Sequence, residues 1–222
     1  MQSSGSGHRD FAAVWHEAIA GRQDEDIAST FYAFLLKVRD IKNIILWLDN
    51  CGAQNKNWCL FTTPTYAVNS SQTLTESIQL KYFEKGHTYM SADAKHKDIE
   101  KQMKSLGKVY DFADFITCIK SAKCEPLEMG TNDGTLAFRE WKSGMSQHSL
   151  RKLEQIPYLD QMVSVRFTRG SNKLEYKTNF NSNFVELDYL LSAFELKEAP
   201  QKQHREVSHH PKNRTYSRIW SL

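Results

Sequence analysis

Apolar residues along this chain switch between two spacings. Ile27, Phe31, Phe34, Leu35 and Val38 recur every three or four positions, which puts them on one side of an α-helix. Asp24 stands where an N-cap belongs, and acids fill the first turn, where the helix dipole favours negative charge. Before this helix, residues 11–20 are short and apolar and read as a strand that runs into a turn at Gly21. After it, residues 44–48 are five consecutive apolar side chains between polar flanks, which predicts a strand covered on both faces. That run halts on Asp49. Residues 56–68, with Trp58, Leu60, Phe61, Tyr66 and Val68, are expected to form a crossover helix in spite of Pro64. Residues 78–83 then alternate apolar and polar, the period of a second strand.

A loop composition follows over 86–92. Asp93 is placed as the N-cap of an amphipathic helix whose stripe is Ile99, Met103 and Leu106. A further helix is expected from Asp111, burying Phe112, Phe115, Ile116 and Ile119. Strands alternating with helices point to an α/β fold with a mixed sheet flanked by helices. Beyond Cys124 the pattern changes. Glu140-Trp141, 162–168 and 173–178 read as short strands, the last two forming a hairpin around Arg169-Gly170-Ser171-Asn172, and together they suggest a small β-rich C-terminal region. The expected organisation is a flexible lead over 1–10, a main domain over 11–125, a small α+β extension over 126–196 and a basic, disordered tail over 197–222.

Composition narrows the function classes. With 29 basic and 26 acidic side chains in 222 residues, net charge alone does not mark a nucleic-acid binder, so such a partner has to be argued from local patches. Cys51, Cys59, Cys118 and Cys124 form no C-x-x-C pair and have no histidine at zinc-finger spacing, which suits a reducing, intracellular setting. No stretch approaches the roughly 20 apolar residues of a membrane span. The chain contains no G-x-S-x-G, P-loop or G-x-G-x-x-G motif.

Candidate chemistry gathers around acids at the ends of elements. Asp49 closes an apolar strand, the place where open α/β sheets hold ligands. Asp93, His96 and Glu100 share one face of a helix. Carboxylate oxygens in such positions suit hard divalent cations, and two such ions about 3.5–4 Å apart would serve phosphodiester chemistry. His87, in KGHTYM, could orient water or donate to phosphate. The polar turn of Asn50, Gln54, Asn55, Lys56 and Asn57 follows Asp49 at an expected helix N-terminus, which suits a phosphate. Each residue also has a plainer role: Asp93 as an ordinary cap, Glu100 as half of a solvated pair with Lys97 or Lys104, and His87 bonded to backbone.

The segments WHEAIAGRQDEDIAS, LDNCGAQNKN and FEKGHTYMSADAKHKDIEK, in that order, resemble an RNase H-like domain of animal transposon-derived proteins, similar to DDE-type transposases and integrases. The resemblance rests on Trp15 and Glu17, Asp49-Asn50-Cys51, Gln54 to Asn57, Gly86-His87-Thr88, Asp93 and Ile99-Glu100. It implies an RNase H-like sheet and metal-dependent DNA cleavage or strand transfer with Mg2+ or Mn2+. Asp49 and Asp93 would be the metal ligands, with His87 and Glu100 assisting catalysis. Asn50, Gln54, Asn55, Lys56, Lys95 and Lys97 are the nucleic-acid contacts expected beside them. The domain is expected to lack its first strand and so its first acid, for which Asp10 or preceding sequence would have to substitute. DNA is the expected partner, self-association is allowed, and the setting is nuclear. The other reading keeps the fold without the chemistry: a domesticated module binding DNA or protein through Lys95, Lys97, Lys101 and Lys104 and the basic tail.

Overall fold

The computed structural model describes residues 10–84, 91–130, 134–141, 157–190, 201 and 218–221. The chain divides into two compact units, one of residues 1–19, 89–129 and 206–222, the other of residues 20–88 and 130–205.

The first unit contains β1 (Asp10–Trp15), the helices α4 (Ser91–Leu106) and α5 (Phe112–Ser121), and the strands β4 (Cys124–Glu128) and β8 (Arg218–Ser221). Its sheet runs β4-β1-β8, with β1 parallel to β4 and antiparallel to β8. Ala12 and Val14 on β1 pack with Ile99 of α4 and Phe115, Ile116 and Ile119 of α5. This is the stripe expected from helical spacing, except that Leu106 is exposed. Asp111 caps α5 by accepting from the Asp114 backbone N–H at 2.8 Å, and Gly107, with φ +84°, ends α4 in the left-handed conformation that glycine tolerates. The strand expected over 11–20 starts one residue earlier and ends at Trp15. Helix α4 begins at Ser91, so Asp93 lies inside the first turn rather than at the cap. Strand β4 was not foreseen, because CEPLE carries a proline; it lies at the sheet's margin, where a missing N–H is tolerated.

The second unit contains α1 (Asp24–Lys37), β2 (Asn43–Leu48), the single turn α2 (Gly52–Asn55), α3 (Trp58–Asn69) and β3 (Ser77–Tyr82), followed by β5 (Ser164–Thr168), β6 (Leu174–Lys177) and β7 (Val185–Leu187). Its sheet is mixed, in the order β2-β3-β5-β6-β7, with β2 parallel to β3 and the later strands antiparallel. Helix α1 is as its spacing predicts, but the cap is Gln23, not Asp24. The Asp26 carboxylate accepts from the Gln23 backbone N–H at 3.0 Å. The crossover helix expected over 56–68 is α3, which starts at Trp58 and keeps Pro64 inside it; the single turn α2 that precedes it was not expected. Arg169-Gly170-Ser171 turns the β5–β6 hairpin as expected, with φ +82° at Gly170.

Three expectations are corrected in this unit. Ile45 and Trp47 of β2 are 56% and 45% exposed, so β2 is covered on one face and not on both. Glu140-Trp141 forms no strand; Arg139 makes a lone bridge to Gln201, and Trp141 is buried with its indole N–H donating to Ser29 Oγ at 3.1 Å. Strands β5 to β7 extend the sheet of β2 and β3 rather than forming a separate β-rich layer. Of the basic tail expected over 197–222, residues 197–200, 202–217 and 222 lie outside the described residues, while Arg218–Ser221 forms β8.

Candidate functional site

Asp49 follows β2 where that strand leaves its parallel partner; the Phe83 N–H still donates to the Leu48 carbonyl at 3.1 Å. The next residues fold back beneath it. The Asn55 amide nitrogen donates to the Asp49 carboxylate oxygen Oδ1 and, at 3.3 Å, to the Asp49 carbonyl. The Cys51 N–H also donates to Oδ1, at 3.4 Å. Oδ2 takes part in none of these bonds. Single-turn α2 is closed by the Asn55 N–H donating to the Cys51 carbonyl at 2.8 Å. From the strand side, the Tyr82 hydroxyl donates to the Asn55 carbonyl at 2.8 Å, and burial pushes this phenol far above the ordinary tyrosine range.

The same turn explains its lysine. Lys56 is only 4% exposed; its Nζ donates to the Asp160 carbonyl at 2.9 Å and lies 4.5 Å from the centre of the Tyr82 ring. Asn57 caps α3 by accepting from the Leu60 N–H at 2.7 Å and donates to the Gln54 carbonyl at 3.1 Å. Asn55 and Lys56, expected to face a phosphate, are therefore buried parts of the loop that carries Asp49. A helix of one turn also lacks the dipole that would draw an anion. Gln54 and Asn50 are half-buried beside them.

Two amide oxygens in this loop, Asn50 Oδ1 and Asn55 Oδ1, are buried and accept no hydrogen bond from the described residues. A buried acceptor left without a partner costs about 1–3 kcal/mol, so the loop retains unused oxygen donors close in sequence to a carboxylate. In kind, this donor set fits a hard cation such as Mg2+ or Mn2+. In number it offers one carboxylate, and among the described residues no three His, Cys, Asp or Glu side chains gather to hold a metal ion.

Asp93, Lys95, His96, Lys97 and Glu100, like Asp10, belong to the first unit. On α4, Asp93 and His96 are half-buried, flanking the buried stripe, while Glu100 and Lys97 are exposed. Lys95 does not belong to the exposed lysine row. Its ammonium pairs with Asp10 at 2.9 Å and Asp98 at 3.6 Å and donates to the Ala122 carbonyl at 3.3 Å. The hydrogen bond to Asp10 holds the Lys95 pKa above the usual lysine range. Asp10, considered as a substitute acid, thus has a cation against it. Cys124, paired in register with Asp10, has its thiol pushed up to about 11, by burial first and by the Asp10 charge second. His87 lies outside the described residues. Asp49 and Asp93 stand in different units, each with its own surroundings.

Sequence reasoning overlooked Tyr82 and the inward roles of Asn55 and Lys56. The available signal was the density of amide side chains after a strand, which serves loop closure as readily as ligand binding.

Residues 27–182 match a family described as a domain of unknown function, DUF7869. The chain belongs to that family. The DUF7869 match runs from within α1 to the β6–β7 connection and takes in the Asp49 loop, Asp93 and Glu100. No curated protein and no solved structure matches the chain.

Proposed function

We propose that this DUF7869 chain is a transposase-derived, RNase H-like domain whose ancestral chemistry is metal-dependent cleavage or strand transfer at phosphodiesters of DNA, in a nuclear setting. The observation that carries the reading is Asp49. A carboxylate at the carboxyl end of a parallel strand is clamped through one oxygen by Asn55 and Cys51, while its other oxygen takes part in neither bond. Such a clamp fixes the carboxylate before a ligand arrives, which is what a metal-binding acid requires. In this reading Asp49 and Asp93 would hold Mg2+ or Mn2+, the Asn50 and Asn55 amide oxygens would add neutral donors, and His87 and Glu100 would handle protons or orient water. A cation held there would supply activation of the attacking oxygen and stabilisation of the leaving one. Because Asp10 is paired with Lys95, the first acid of the trio is assigned to a segment other than β1.

That ion pair also favours a second reading, in which the domain keeps the fold and binds DNA or protein without cutting. Among the described residues no helix is long and apolar enough to cross a membrane.

Titrating Mn2+ into the full chain by calorimetry, beside Asp49→Asn and Asp93→Asn, separates the two. Binding that weakens at least about tenfold in both variants supports the metal site and justifies a plasmid-nicking assay. Absence of binding in a folded parent sinks the catalytic reading and leaves the binding module.

A further inference from the structure

The sheet of the second unit has a face that the Asp49 chemistry does not use. Its strands alternate: Ile78, Leu80, Val165, Phe167 and Leu174 point into the core, and the residues between them point the other way. In register across that outer face lie Trp47, Lys81, Ser164 and Lys177, and beside them Ile45, Gln79, Arg166 and Glu175. Trp47 stacks near two further rings, with centroids 5.0 Å from Phe83 and 6.0 Å from Phe180. Each ring group carries cations. Lys81 Nζ lies 5.3 Å from the Trp47 ring centre, while Arg166 and Lys177 lie 4.0 and 4.6 Å from that of Phe184. Trp47 and Phe180 are nevertheless 45% and 41% exposed.

Exposed aromatic faces on an open sheet are costly unless something covers them. The charges say what. Arg166 is neutralised by a two-pronged pair with Glu175, at 2.8 and 2.6 Å, and Lys173 is paired with Glu186 at 2.6 Å. Among the described residues Lys81 and Lys177 make no ion pair: Lys81 lies beside the Trp47 ring, and Lys177 beside the Phe184 ring with its ammonium donating to the Phe180 carbonyl at 3.4 Å. From β2 to β6 the platform is roughly 14 Å wide, at about 4.8 Å per strand. Rings that accept bases, interleaved with lysines that accept phosphates, are the requirements of a single-stranded nucleic acid. A duplex hides its base faces and could use only the lysines. A protein partner would gain from the rings but has no need of the interleaved cations.

We propose that this outer face, centred on Trp47, Phe83 and Phe180 with Lys81 and Lys177, binds single-stranded nucleic acid by stacking two or three unpaired bases. Trp47 lies two residues before Asp49, so a strand seated on the platform would approach the Asp49 loop. Binding itself does not depend on the proposed catalytic function.

The test is fluorescence anisotropy of labelled dT15 and rU15 strands, and of a 15-base-pair duplex, titrated with the full chain at fixed salt. The expected result is single-strand binding, to dT15 or rU15, at least about tenfold tighter than duplex binding. Trp47→Ala should weaken it about tenfold or more, as removal of a stacking side chain does, and Lys81→Gln with Lys177→Gln should flatten its salt dependence. Binding should persist in EDTA with no divalent cation present, which keeps this proposal separable from the metal site. Circular dichroism and thermal melting confirm that each variant is folded; if Trp47→Ala melts early, Phe180→Ala replaces it. Equal affinity for duplex, or affinity insensitive to both ring substitutions, overturns the proposal. So does an absence of binding accompanied by self-association that Trp47→Ala abolishes, since the occupant would then be a second copy of the chain.

Discussion

The Asp49 loop and the acidic flank of α4 carry motifs of similar density, yet they are built differently. Around Asp49 nearly every polar residue is used inward: Asn55 holds the carboxylate, Tyr82 holds Asn55, Lys56 is covered by the Tyr82 ring, and Asn57 starts α3. On α4, Asp93 and His96 flank the buried stripe and Glu100 projects into water, while the best-held polar residue is Lys95, through its pairs with Asp10 and Asp98. The lesson is that a string of polar residues after a strand can be a scaffold for one functional atom. A string of acids and lysines on a helix is mostly its solvated side, with an ion pair at the border.

The sharpest way to break this contrast is at Asn55. Replacing it with Ala removes the donor to a half-buried carboxylate at a site only 3% exposed, and the expected cost is about 2–3 kcal/mol in urea unfolding. Any Mn2+ affinity should go with it. A change within 0.5 kcal/mol would show that the clamp does not matter and that the loop is held by Lys56 and Tyr82 alone.

The first unit is probed next through Cys124. Its thiol is raised from 9.0 to about 11 in the folded chain, so between those values the unfolded chain has lost a proton that the native one keeps. Stability should be intact below pH 9 and fall as pH rises through the window, by up to about 1.4 kcal/mol per unit. Cys124→Ala should flatten that slope relative to the parent in parallel melts. An unchanged slope would assign the alkaline loss to other groups.

Smallest of all should be Glu100→Gln on the exposed side of α4, within about 0.5 kcal/mol of the parent. A larger loss by thermal melting would mean that this flank is as tightly built as the Asp49 loop and would erase the contrast.

The periodic parts of the fold were legible: α1, α5 and the stripe of Ile99 and Met103 follow from spacing alone. So were the strands on either side of the Arg169-Gly170 turn, and the placement of Asp49 at the end of β2. Periodicity was silent where composition was ambiguous. Five apolar residues in a row do not say whether both faces of β2 are covered, and Ile45 and Trp47 are exposed. Strand β4 was hidden by Pro126 and two glutamates, which only its marginal position allows. The inward use of Lys56 could not be read because its acceptor, the Asp160 carbonyl, lies 104 residues away.

Among the described residues β2 stands at the margin of its sheet, which has a bearing on handling the protein. A strand rich in isoleucine, leucine and tryptophan at a sheet edge is a template for intermolecular pairing. Here Lys42 sits just before it, salt-bridged to Glu76 at 2.8 Å, and Lys81 leans over Trp47 from the neighbouring strand. Charged side chains so placed are the kind that guards an apolar strand against aggregation. Neutralising them should lower the yield of soluble protein and the concentration at which it stays clear, well before it moves a melting temperature.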